Sequence, residues 1–177
     1  VSDAVAGIRG TAISRAQAGH GGTAVSSAQA GGRGRVRRGG LAVSEAQAGR
    51  FGTAISQAQA EFKRPVCVSV CDATGFQIAF ARMDGAPIRS IAISQQKAHT
   101  ATRMGMSTDA FLERLRTDNI DIGYFCDPLM TALPGGNLLK DKTGAVVGAV
   151  GVSGLKPVED QVITEAVAQL YESGKLG

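Results

Sequence analysis

What most constrains this chain is a pair of β-rich runs joined by a tight turn. Pro65-Val66-Cys67-Val68-Ser69-Val70-Cys71-Asp72 begins after a proline, as a strand does, and alternates valine with smaller residues. Ala73-Thr74-Gly75 supplies the turn. Phe76 to Asp84 then alternates on the way back, until Gly85-Ala86-Pro87 breaks it. A hairpin of this kind commits the fold to an antiparallel sheet. One face of such a sheet is apolar and must be covered.

The rest of the chain supplies the cover. Ser90 to Met104 reads as a helix, with Ile91, Ala98, Ala101 and Thr102 inward and Lys97, His99 and Arg103 on other faces. Ser107-Thr108-Asp109 caps a second helix, Ala110 to Arg116. Asp118 to Ala132 is irregular, and Leu133-Pro134-Gly135-Gly136-Asn137 is a tight glycine turn. Leu138 to Lys140 and Val146 to Val152 pair around the turn Asp141-Lys142-Thr143-Gly144. Pro157 opens a last helix, Val158 to Glu172, with Glu159 and Asp160 complementing its dipole. The expected class is α+β, an antiparallel sheet flanked by helices. The run Gly148-Ala149-Val150-Gly151-Val152-Ser153-Gly154 matches neither a dinucleotide nor a phosphate-loop fingerprint.

Ahead of this lies a repeat. Val1-Ser2-Asp3-Ala4-Val5-Ala6-Gly7 recurs at Ile13, Val25, Val43 and Ile55, the later copies carrying Ser-x-x-Gln, a helix-start pattern. Frequent glycines and one Val or Ile per copy bury too little for a solenoid. The reading is a low-complexity tail over residues 1–40 and a domain over 41–177. The last two copies, Val43 to Phe62, form the domain's first helix. Residues 1–40 hold six arginines and one acid, a charge of +5. The whole chain carries +4, so the domain carries −1. The domain therefore lacks the basic footprint of a nucleic-acid binder. The cluster Arg33 to Arg38 reads as a solvated linker able to touch an acidic surface.

Three cysteines make no disulfide framework, since Cys67 and Cys71 share a strand face roughly 13 Å apart. Two histidines make no zinc set of the usual spacing. Reduced thiols make the expected location cytoplasmic; no apolar run approaches a membrane span, and the N-terminus lacks the apolar core of a signal peptide.

Three segments carry candidate chemistry. Asp72 and Arg82, followed by Asp84, place charges at strand ends, with Asp72 and Arg82 expected to pair across the hairpin. Lys97 and Thr100 share a helical face, while His99 points about 100° away. Pro134-Gly135-Gly136 and Gly151-Val152-Ser153-Gly154 offer backbone amides to an anionic group and permit close approach of a ligand.

Taken in order, Pro65 to Gly75, Ala81 to Ala86, Lys97 to Ala101, Pro134 to Gly136 and Val146 to Gly154, with Asp160 after them, resemble the GlcG/HbpS family. Arg82-Met83-Asp84-Gly85-Ala86 and Gly148 to Gly154 are the most specific parts. The resemblance implies a profilin-like fold, homo-oligomers and, for several members, haem binding. The chain departs from the pattern at His99, where the family often has tyrosine. It also departs in Asp118 to Ala132, with its Tyr124-Phe125-Cys126, and at Gly49 and Gly52.

Three functions follow as expectations. The first is a binding protein for haem or a related tetrapyrrole, with a haem-degrading or sensing role. Its ring would lie in an apolar slot lined by the sheet, with His99 or Cys126 as axial ligand and Arg82 and the glycine amides on propionates. The second is a cofactor-free acid–base enzyme using Lys97, Asp72 and His99, with Ser153 holding an oxyanion. The third is a non-catalytic oligomeric assembly module.

Overall fold

The first two strands, β1 (Cys67–Asp72) and β2 (Gln77–Arg82), form the expected antiparallel hairpin in this computed structural model, which describes residues 60–175 and Gly52. Helix α1 (Arg89–Met104) follows, then α2 (Thr108–Asp118) and a 3-10 turn over Ile122–Phe125. Strands β3 (Gly136–Lys140) and β4 (Val146–Ser153) and helix α3 (Pro157–Glu172) complete the order. The sheet runs β2-β1-β4-β3, antiparallel throughout. The α+β expectation holds. The repeat tail and all but Gly52 and residues 60–62 of the expected first helix lie outside the described residues.

Period-two alternation gives the sheet two different faces. Val68 and Val70 of β1, Leu139 of β3 and Val150 and Val152 of β4 form one core with Ile163 and Val167 of α3. The opposite face is made of small groups. Cys71, Leu138 and Ala149 pack there on Ala98 and Ala101 of α1.

Glycine makes that second contact possible. A Cβ on Gly151 would collide with the Ser94 carbonyl oxygen and lie 2.6 Å from the Ala98 nitrogen. One on Gly136 would strike the Lys97 carbonyl and stand 2.8 Å from Thr108 Cγ2. The close backbone approach read from these glycines is real, but it is α1 that approaches.

Helix ends follow local chemistry. Gly105 (φ 66°) and Asn119 (φ 52°) close α1 and α2 in the left-handed region. Glu159 accepts from the Lys156 N–H at 2.9 Å and pairs with Arg64, anchoring the start of α3. Ser107 is the N-cap residue of α2 but makes no side-chain cap bond. The hydroxyl beside it, Thr108 Oγ1, accepts instead from the Gly136 N–H at 2.8 Å. Among the described residues no helix is long and apolar enough to cross a membrane.

Candidate functional site

The hairpin turn, helix α1 and the loop after the 3-10 turn meet at His99. Asp72 accepts from the Thr74 N–H (2.8 Å), the Thr74 hydroxyl (2.7 Å) and the Phe76 N–H (3.0 Å), which fixes the turn. Burial raises the Asp72 pKa, but these bonds outweigh it and hold the carboxyl below its usual range. The turn thereby presents the Gly75 carbonyl to His99 Nδ1 at 3.3 Å. Across the ring, Nε2 meets Asp127 Oδ2 at 2.9 Å, with Arg103 Nε 3.9 Å from the same oxygen. The His99 hydrogen bond, with help from Leu129 N–H and the nearby cations, keeps the Asp127 carboxyl below its usual range.

The loop that brings Asp127 is pinned at both ends. Phe125 meets Phe111 of α2 edge-to-face at 5.4 Å. The Thr131 N–H donates to Thr100 Oγ1 at 2.9 Å, and Thr100 is itself fully buried. Tyr124 and Phe76, 78% and 73% exposed, stand beside the two loops that reach His99. Cys126, next to Asp127, is also exposed. The two expected axial ligands therefore belong to one corner.

Lys97 lies elsewhere. It was placed off the inward face, yet it is 1% exposed, and its Nζ donates to Asp160 Oδ2 (2.7 Å) and the Val152 carbonyl (2.9 Å). Burial lowers its pKa against the pull of Asp160, and raises that of Asp160 against the pull of Lys97. Gly135 (φ 119°) is the gap through which this ion pair forms. A Cβ there would sit 2.7 Å from Lys97 Nζ. Lys97 comes from the face covered by α1 and Asp160 from the first turn of α3, so the pair ties the two layers together.

Several expected groupings are not assembled. Asp72 and Arg82 sit at opposite ends of the hairpin, since Cys67 faces Arg82 and the chain turns at Asp72. Arg82 donates to the Ala86 carbonyl instead, at 2.8 Å, and Asp84 is exposed in the turn beyond. Lys97 reaches Val152, beside the Cys67 end of β1, while His99 meets the turn after Asp72. The acid–base trio Lys97, Asp72 and His99 is thus divided along the sheet.

The amides of Gly135 and Gly136 are taken by Gln161 Oε1 (2.7 Å) and Thr108 Oγ1. Pro134 is half-buried, Gly151 and Ser153 lie within β4, and Gly154 abuts the Pro65 carbonyl. Among the described residues the middle of the sheet is covered on one face by α1 and on the other by α3, where the expected slot was placed.

The residues missed by sequence reasoning are the partners. Asp127 is 28 positions from His99, in a segment without periodicity. Gln161 and Thr108 are polar residues on helices whose buried orientation periodicity does not reveal. Among the described residues no three His, Cys, Asp or Glu side chains gather to hold a free metal ion. What the corner offers is one imidazole with both ring nitrogens engaged, Nδ1 by the Gly75 carbonyl and Nε2 by the Asp127 carboxylate.

Over residues 43–169 the chain matches the family model described as haem degrading protein HbpS-like. It is 39% identical over 90 residues to protein GlcG of Escherichia coli K12, covering 50% of this chain and 63% of GlcG. A crystal structure of a Streptomyces reticuli HbpS double mutant is 27% identical, with a TM-score of 0.64, over 82% of this chain and 98% of that one. A crystal structure of a PduOC–haem complex superposes with a TM-score of 0.65 at 23% identity, over 73% of this chain and 94% of that one, a likeness of fold.

Proposed function

The chain belongs to the HbpS-like family, and from that premise we propose that it binds haem or a related tetrapyrrole at the corner built on His99. The observation that carries this reading is the imidazole held between the Gly75 carbonyl and the Asp127 carboxylate. Nδ1 is closed off, since even a Cβ on Gly75 would come within 3.2 Å of it. Nε2, across the ring, meets the Asp127 carboxylate.

Bound haem supplies ligand-binding and redox chemistry at its iron. The chain's part is to orient and hold. The Gly75 carbonyl would accept a hydrogen bond from Nδ1–H and fix the ring plane, which would leave Nε2 to hold the iron. Asp127 would have to give up its hydrogen bond to Nε2. Arg103, exposed beside it, is placed to meet a propionate, and Tyr124 and Phe76 give apolar surface to the ring edge. A haem-degrading or sensing role rests on the same binding.

Titrating haemin into the purified protein tests the reading by absorption. A shifted Soret band is expected, lost in His99→Ala and retained, with about tenfold tighter binding, in Asp127→Ala, where ligation no longer breaks a charged hydrogen bond. No Soret shift with the wild-type chain, or an unchanged spectrum in His99→Ala, would sink it.

A further inference from the structure

We propose that the open edge of β3 is the docking site for the chain's own basic segment, Arg33-Gly34-Arg35-Val36-Arg37-Arg38. Among the described residues β3 is an outer strand of the sheet. The Val152 N–H donates to the Gly135 carbonyl at 2.8 Å, so Gly135, Asn137 and Leu139 turn their backbone groups toward β4. Gly136 and Leu138 turn theirs outward. Gly136 is held by Thr108, and among the described residues the Leu138 N–H meets the Asn137 side chain alone, at 3.2 Å. Its carbonyl opens on a cleft of about 420 Å³ that runs along this edge. Natural sheets seldom leave an edge open without covering it.

The cleft has two unlike walls. On the α3 side stand Glu165, Gln169 and Glu172, all exposed. The two glutamates are seven residues apart on one helix, hence about 10 Å apart along its axis. On the other side stand Met106 and Ala110, from the connection between α1 and α2 and the first turn of α2. A strand added to this edge sends alternate side chains to alternate walls.

The segment carries the matching alternation. In an extended conformation Arg33, Arg35 and Arg37 share one face, about 6.8 Å apart, with Gly34 and Val36 on the other. The guanidiniums then meet the glutamates and Val36 meets Met106 and Ala110. Lys140, lining the end of the cleft, marks where a guanidinium is not accepted. Charge supports the pairing, since residues 1–40 carry +5 and the remainder −1. Reach permits it within one chain. With residues 43–59 in the expected first helix (about 25 Å) and residues 39–42 extended (about 14 Å), the connection spans about 39 Å, against a radius of gyration of about 13 Å for a domain of this size.

Hydrogen exchange on the full-length chain tests this at low ionic strength, reading the amides of residues 136–140. Replacing all three of Arg33→Gln, Arg35→Gln and Arg37→Gln, or both of Glu165→Gln and Glu172→Gln, should speed their exchange about tenfold. Salt at about 0.5 M should do the same to the wild-type chain. Trypsin should cut after Arg33 to Arg38 more slowly in the wild type than in the glutamate variant. The replaced groups are exposed, and a thermal melt checks that each variant folds. Unchanged exchange in both variants overturns the proposal. So does protection that survives the arginine changes and grows with protein concentration, because a second copy would then occupy the edge.

Discussion

Lys97 and Asp160 are 1% and 2% exposed, and each is the other's only opposite charge within salt-bridge reach among the described residues. Removing one leaves an uncompensated buried charge, which costs about 3–5 kcal/mol. Removing both charges leaves neither. Lys97→Met and Asp160→Asn are therefore each expected to lower the urea midpoint steeply, and the double variant to recover most of the loss. The asparagine keeps an acceptor for the Leu155 N–H. Additive losses in the double variant would show that the pair is not the interaction that matters.

Asp127 gives a pH signature. Its folded-state carboxyl is held below its ordinary value of 3.8, chiefly by His99. A lowered carboxyl stabilises the fold when ionised, so its contribution is present above the unfolded value and is lost as pH falls through the folded one. The stability gap between wild type and Asp127→Asn should be widest above about pH 5 and close toward about pH 2. A gap that stays constant over that range would leave no role for ionised Asp127. At this scale sequence reading fared least well. His99 stood out as a candidate acid, base or ligand, but its partner lies in an aperiodic loop. Lys97 reads as off the inward face of its helix, and the glycine gap at Gly135 makes room for its buried Nζ.

At the scale of elements the sequence was far more legible. Valines in alternation named β1, and the turn Asp141 to Gly144 named the β3–β4 hairpin. Helix limits were within two residues for α1, α2 and α3. The reason is that periodicity reports burial directly. What it does not report is which partner an element meets. The glycines of β4 looked like room for a ligand and prove to be room for α1. Gly151→Ala tests this. Its Cβ would fall on backbone atoms of α1, which cannot swing aside as a side chain can. The expected loss is about 3 kcal/mol, the upper end for overpacking, seen as a lower denaturant midpoint. Gly144→Ala meets no atom within 4 Å, so it reports the cost of a left-handed φ (84°) without a clash. It should lose less, about 1 kcal/mol. Equal losses at the two positions would mean that packing against α1 is not what Gly151 serves.

For the whole molecule, charge and site belong to different parts of the chain. The basic excess lies in residues 1–40, whereas His99, Asp127 and Arg103 lie within the described domain. Deleting residues 1–40 takes the net charge from +4 to −1. The truncated chain should therefore lose retention on a cation exchanger at neutral pH. Its haemin affinity should change little, because screening confines the field of exposed charges to about 10 Å at 0.1 M salt. At low ionic strength the two forms should diverge, since a +5 tail attracts the anionic propionates and raises the association rate. Stopped-flow mixing at two salt concentrations separates these effects. A full-length chain that binds faster only at low salt, with equal dissociation rates in both forms, places the tail outside the site. If truncation instead speeds dissociation at every salt concentration, residues 1–40 touch the ligand, and the binding corner extends beyond His99.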